Sequence, residues 1–269
     1  MQDADRWLKR FTPAAGPAAG RTPGTAAYAP PAARFRSRVV CLPHAGGAAP
    51  AYQPWARHLP ADIELLAVQY PGRQERLGEP CSDTLGELAD AVAAALAALP
   101  VLPTVVFGHS MGSLVAYETV LRLARHAPQA LPVRLFVSGA PAPVQDRTNL
   151  PAPDDASLLA YVRNQGAAQP EVYDIPELRE LLMPSLRGDF GMLARYRPAR
   201  PLARVPVPVT ALGGDSDAGC PPESLATWAD ATTADFASRV FPGGHFYLQG
   251  REDTLAGLVT TALRAAAAG

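Results

Sequence analysis

The chain has 269 residues, 48% of them hydrophobic, and its 24 basic side chains almost cancel 25 acidic ones, leaving a formal charge of -1. That balance, with no cluster of Lys and Arg, supplies no electrostatic footprint for nucleic acid, and no stretch approaches the roughly 18 apolar residues of a membrane span. Cys41, Cys81 and Cys220 are odd in number, widely spaced and outside any C-x-x-C or Cys/His pattern, so neither a metal site, a cofactor nor a disulfide framework is expected.

The opening Met1-Gln2-Asp3-Ala4-Asp5-Arg6 has no apolar core of signal-peptide length behind it, which with the cysteine usage points to a reducing, cytoplasmic setting. Residues 12–33 are dominated by Pro, Ala and Gly, a composition that cannot bury a core. Residues 1–35 are therefore expected to be a flexible leader, with a single folded domain over 36–269. A domain of that size buries about 70–75% of its unfolded surface.

From Arg36 onward, β-rich runs recur at 38–42, 63–69, 104–108, 133–139, 207–212 and 238–241. Most are continuous apolar runs without alternation, as strands covered on both faces should be. Between them lie helical periods. Leu85, Leu88, Val92, Leu96 and Leu99 recur every three or four residues, behind a capping box of Thr84 and Glu87. Further helices are expected from Met111 to about Arg125 and from Asp253 to about Ala267. Strands alternating with helices predict an α/β fold built on a doubly wound, mostly parallel sheet.

The segment 141–204 breaks the alternation. It has two apolar helical patterns (Leu158, Leu159, Val162, then Leu178, Leu181, Leu182, Leu186) followed by Phe190 and Leu193, and no convincing strand. It is read as a helical lid above the carboxyl ends of the strands, where open α/β sheets bind their ligands. Tyr161, Met183, Phe190 and Tyr196 are candidates for lining that site. Arg195, Arg197, Arg200 and Arg204 could steer an acidic partner or be solvated surface charges.

Gly108-His109-Ser110-Met111-Gly112 is a G-x-S-x-G pentapeptide between a β-branched run and a helical period. A serine on such a strand-to-helix turn is held in a strained backbone, and the flanking glycines keep side chains out of its way. Ser110 is the candidate nucleophile. Its hydroxyl needs a base, and the base needs an orienting acid; hydrolases of this kind place them in the order Ser, Asp, His at strand ends. Here Gly213-Gly214-Asp215-Ser216-Asp217 and Gly243-Gly244-His245 follow two later strands. His245 is the candidate base. Either aspartate could reach an imidazole; Asp217 is favoured, because Asp215 falls early in the turn, where an aspartate often bonds its own backbone. An oxyanion hole would draw on the N–H of Met111, after the nucleophile, and on Ala45 in Pro43-His44-Ala45-Gly46-Gly47, after the first of these strands.

Taken together with Tyr70-Pro71-Gly72-Arg73, Phe241-Pro242-Gly243-Gly244-His245-Phe246 and Trp7-Leu8-Lys9-Arg10-Phe11, these motifs resemble the stand-alone type II thioesterases of polyketide and nonribosomal peptide biosynthesis, members of the α/β-hydrolase superfamily. The resemblance covers nearly everything after Arg36. It implies Ser110 as nucleophile, His245 as base and Asp217 as acid. It further implies hydrolysis of acyl thioesters from the phosphopantetheine arm of an acyl or peptidyl carrier protein, clearing stalled or aberrant chains, by a monomeric enzyme. A general small-ester hydrolase, an excised terminal thioesterase domain and a noncatalytic carrier-binding protein are the alternatives.

Overall fold

The computed structural model describes residues 2–11, 35–144, 150–166 and 170–268; the Pro/Ala/Gly-rich stretch lies outside them. Its centre is a seven-stranded sheet: β1 (Leu8–Phe11), β2 (Ser37–Leu42), β3 (Ile63–Val68), β4 (Thr104–His109), β5 (Arg134–Ser138), β6 (Val209–Gly214) and β7 (Phe236–Phe241). The strand order is β1-β3-β2-β4-β5-β6-β7, with β1 antiparallel to β3 and all other pairs parallel.

The expected start of the folded domain near Arg36 is corrected by β1. Leu8 pairs with Val68 and Phe11 with Leu65, while Ala4 and Leu8 are buried. Four residues that include Lys9 and Arg10 carry too little apolar pattern to read as a strand; they become one because the open edge of β3 offers its backbone groups. Arg10 then reaches the buried Arg38–Glu64 pair from the exposed sheet edge: its Nε donates to Glu64 Oε1 at 2.8 Å, and Arg38 Nε donates to Glu64 Oε2 at 2.6 Å.

Central strands are apolar runs covered on both sides, and every residue of β3 and β4 is buried. At the edge, β7 begins two residues earlier than expected, and its residues 237–240 are exposed. One face of the sheet carries α2 (Leu85–Ala97) and α3 (Met111–His126), preceded in the chain by the short α1 (Gln2–Trp7). The other carries the 3-10 segment Ala49–Arg57 and α6 (Glu252–Ala268). The Thr84–Glu87 capping box forms as predicted, with Glu87 N–H donating to Thr84 Oγ1 at 3.1 Å. No helix among the described residues is long and apolar enough to cross a membrane.

Between β5 and β6 the chain inserts α4 (Asp155–Asn164), a 3-10 turn (Pro170–Asp174) and α5 (Pro176–Arg195). All four loops that carry the candidate chemistry leave the carboxyl ends of parallel strands, so they converge on one rim of the sheet. The insertion reaches two of them.

Candidate active site

Ser110 sits between the end of β4 and the start of α3, with φ 54° and ψ -117°. A positive φ in a residue with a Cβ costs on the order of 1–3 kcal/mol and persists only where neighbours over-determine it. Here they do. Ser110 N–H donates to Ser138 O at 2.7 Å, and Ser113 N–H donates to Ser110 O at 3.0 Å. The fully buried Ser113 hydroxyl lies 2.9 Å from Gly108 O and 3.0 Å from Ser138 O, and accepts from Ser138 N–H at 2.9 Å. The glycines are required by space: a Cβ on Gly108 would stand 2.2 Å from Gly112 O, and one on Gly112 would stand 2.1 Å from Leu42 O. That last contact seats the start of α3 directly against the end of β2, which brings the Met111 and Ala45 loops together.

After β6, Asp217 is buried and divides its carboxylate. Oδ1 accepts from Gly219 N–H at 2.9 Å and Cys220 N–H at 3.2 Å, and Oδ2 lies 2.7 Å from His245 Nδ1. Asp215 turns the other way, towards solvent, where it accepts from Gly243 N–H at 2.9 Å and the Ser216 hydroxyl at 2.7 Å. Those two hydrogen bonds, first the one from Gly243, hold its carboxyl below the usual range. The β6 and β7 loops fit because Gly214 lacks a side chain; a Cβ there would meet Gly243 O at 2.2 Å. The His245 ring lies 5.0 Å from that of His109, the residue before Ser110.

Two further histidines join this cluster, a feature the motif did not reveal. His109 is 1% exposed; its Nδ1 is 2.9 Å from Ser138 Oγ, which is in turn 2.7 Å from the Tyr247 hydroxyl. Burial first, then the proximity of His245 and His44, drives the His109 pKa well below its ordinary value. His44 packs edge-on against Phe246 at 4.8 Å and His109 at 5.9 Å. Burial, reinforced by His245 and Arg73, lowers its pKa to about 3. Both imidazoles are thus neutral neighbours of His245.

The oxyanion-loop candidates lie at the start of α3 and after β2. Met111 is the first residue of α3, so its N–H has no carbonyl one turn back to bond. In the Pro43–Gly47 loop, Gly47 N–H donates to His44 O at 2.9 Å and Gly46 N–H to Asp189 Oδ2 at 2.7 Å, leaving Ala45 N–H uncommitted among the described residues. Asp189, on α5, also receives both terminal nitrogens of Arg73 at 2.7 and 2.8 Å. Burial works against the Arg73 charge, but Asp189 more than offsets it and raises the guanidinium pKa. Neither role was visible in the sequence.

The insertion candidates divide. Tyr161 and Phe190 meet ring to ring at 5.3 Å, and Met183 and Phe190 are buried. A Cβ on Gly219 would stand 3.8 Å from the Tyr161 hydroxyl and 3.4 Å from Asp217 Oδ1, so α4 reaches the acid loop. Tyr196 stands apart from them: its hydroxyl donates to Glu118 Oε1 on α3 at 2.7 Å. The expectation that it shares a site with the other three is corrected, because the chain leaves α5 at Tyr196 and turns down against α3. There it borders a cavity of about 400 Å³ with Arg122, Arg125, Arg195 and Arg197, which touches none of Ser110, Asp217 and His245. Arg195, Arg197 and Arg200 donate to the carbonyls of Asp83, Ala194 and Val144, and Arg204 is exposed. Among the described residues no group of three His, Cys, Asp or Glu side chains is placed to hold a metal ion.

The Thioesterase domain family model matches residues 37–263. Thioesterase PikA5 of Streptomyces venezuelae is 37% identical over 249 residues, covering 91% of this chain and 81% of that protein. A probable cadicidin biosynthesis thioesterase of Streptomyces griseus is 36% identical over 91% of this chain, which spans 62% of that relative's length. Among solved structures, the type II thioesterase BorB from the borrelidin biosynthetic cluster superposes with a TM-score of 0.79 at 34% identity, covering 96% of this chain and 98% of that one. RedJ, the thioesterase of the prodiginine pathway in Streptomyces coelicolor, gives 0.77 at 34% identity and 90% and 91% coverage. The match thus runs through β2, all four site loops, the insertion and most of α6, and on that basis this chain belongs to the thioesterase domain family, on an α/β-hydrolase fold.

Proposed function

We propose that this protein is an editing thioesterase that removes acyl groups from the phosphopantetheine arm of carrier proteins through a Ser110–His245–Asp217 triad. The observation that carries the reading is the 2.7 Å contact of His245 Nδ1 with the buried Asp217, on a rim shared with the strained Ser110. With Nδ1 committed to Asp217, Nε2 is the nitrogen that takes the Ser110 proton. Ser110 Oγ then attacks the thioester carbonyl, and the N–H groups of Met111 and Ala45 receive the developing oxyanion. Collapse breaks the C–S bond, and His245 returns the proton to the departing thiolate. Water, deprotonated by the same imidazole, attacks the acyl-serine; the carboxylic acid leaves and Ser110 is restored.

Carrier-bound substrates are favoured by the company the chain keeps: BorB is a type II thioesterase from a biosynthetic cluster, and the likeness extends over nearly its whole length. Tyr161 on α4 and Met183 and Phe190 on α5, all within the insertion, are the side chains proposed to meet the acyl group. We place the enzyme in the cytoplasm as a monomer; Cys41, Cys81 and Cys220 form no disulfide, in keeping with a reducing compartment.

The test is a panel of acyl-carrier thioesters of varied chain length, followed by intact-protein mass, beside matched oxyesters. The expected result is loss of the acyl mass from carriers well ahead of oxyester hydrolysis. Equal or faster turnover of the oxyesters would replace the reading with a general small-ester hydrolase.

A further inference from the structure

We propose that Arg73 and Asp189 are positioning residues that fasten the oxyanion loop to the insertion, so that the Ala45 donor is set only while α5 is seated. This rests on the triad reading above and adds a part to it. The two residues are 116 apart in sequence, yet their side chains are only 4% and 3% exposed. Arg73 comes from the turn after β3, and Asp189 from the second half of α5.

The contacts hold the peptide planes on either side of the Gly46–Gly47 peptide. Asp189 Oδ2 accepts Gly46 N–H at 2.7 Å, and Arg73 Nη1 donates to Gly47 O at 3.0 Å while also bonding that same Oδ2. Arg73 Nε donates to Pro71 O at 3.2 Å, which fixes the guanidinium to its own turn. Gly46 and Gly47 are thereby held from both sides. Gly47 N–H, so placed, donates to His44 O at 2.9 Å. That carbonyl belongs to the same planar trans peptide as Ala45 N–H, and the two point in opposite directions. Fixing one aims the other. Contact is close throughout: Gly46 has φ +74°, and a Cβ there would stand 2.8 Å from Leu186 Cδ1 on α5.

An ion pair is an expensive way merely to glue a helix down. Apolar side chains of similar volume commonly replace buried pairs without loss of stability. A forked guanidinium on a carboxylate, by contrast, fixes direction, and direction is what an oxyanion donor needs.

The discriminating variant is the double substitution Arg73→Met/Asp189→Leu, which leaves no buried charge without its partner. We expect it to unfold within a few degrees of the parent. Its kcat on acyl-pantetheine thioesters should fall about 10–100-fold, with KM changed by less than about threefold. An acyl trifluoromethyl ketone, whose serine adduct carries an oxyanion, should bind more weakly by the same factor, and the product acid should bind as before. A folded double variant with kcat within about twofold of the parent overturns the proposal. Should the double variant not fold, Asp189→Asn serves: lowered kcat at constant KM supports the positioning role, and unchanged kcat overturns it. Failure of the parent itself to hydrolyse thioesters would overturn the functional reading, whereas an unimpaired variant of an active parent sinks the clamp alone.

Discussion

His245 and Asp217 meet at 2.7 Å, and the same carboxylate takes two backbone N–H groups on its other oxygen, so its orientation towards the imidazole is fixed by the loop itself. Asp215, two residues earlier, spends its carboxylate on Gly243 and Ser216 and never faces the ring. The expected outcome is a division between two isosteric variants. Asp217→Asn presents an amide where the imidazole needs an acceptor and should lower kcat by about 10⁴-fold, as loss of the orienting acid does in serine hydrolases. Asp215→Asn should leave kcat within about threefold, because its carboxylate faces solvent and bonds only Gly243 and Ser216. Steady-state kinetics on one acyl-pantetheine substrate checks both; a reversed order would reassign the acid.

At Ser110, function and stability are expected to oppose each other. Ser110→Ala should remove about 10⁶-fold of kcat and all labelling by a fluorophosphonate, yet it keeps a Cβ at φ 54°. Ser110→Gly should be equally inactive but relieve the strain, and so unfold at higher urea than the alanine variant, by about 1 kcal/mol. Equal midpoints for the two variants would mean that the elbow stores no strain.

Two glycines offer a contrast in what a single methyl does. Gly112→Ala forces a Cβ to 2.1 Å from Leu42 O, at a contact between two buried backbones with no side chain to yield. It should cost more than about 3 kcal/mol and separate the Met111 and Ala45 loops, abolishing activity. Gly257→Ala, on an exposed position of α6 with nothing within 4 Å, should instead stabilise by about 0.5–1 kcal/mol at unchanged activity. Urea titration of both variants decides this; a well-folded Gly112→Ala would refute the spatial argument.

The contrast between what was legible and what was not follows the range of the interaction. Parallel strands announce themselves through uniform burial, as in β3 and β4, and the α2 capping box is a four-residue signal. Loops at strand ends inherit that legibility, which is why the loops that carry Ser110, Asp217 and His245 can be placed in order after β4, β6 and β7 from the sequence. Side chains whose role depends on a distant partner could not be. Nothing near Leu8–Phe11 declares a strand, because the information lies in the open edge of β3. Arg73 lies in the Tyr70–Arg73 motif with no role legible there, since its partner, Asp189, looks like one more helical acid until α5 meets the Pro43–Gly47 loop. Tyr196 went astray for the converse reason: spacing along α5 says nothing of where the chain turns after it.

Acid sensitivity should come from His109 and His44 before the carboxylates. His109 and His44 both have folded pKa values depressed below the unfolded value of about 6.5, His44 to about 3, with burial the leading cause. Between those limits the unfolded chain binds protons that the folded one refuses, so stability is fully present above about pH 6.5 and is lost as pH falls. Each histidine contributes a slope of up to about 1.4 kcal/mol per pH unit. Free energies from urea unfolding at pH 6.5, 5.75 and 5.0, above the ordinary carboxylate range, isolate this contribution. His109→Gln removes one titrating group while keeping a polar neighbour for Ser138, and should flatten the slope by about one proton; a slope equal to the parent's would show that His109 takes up its proton as readily in the folded protein as in the unfolded chain.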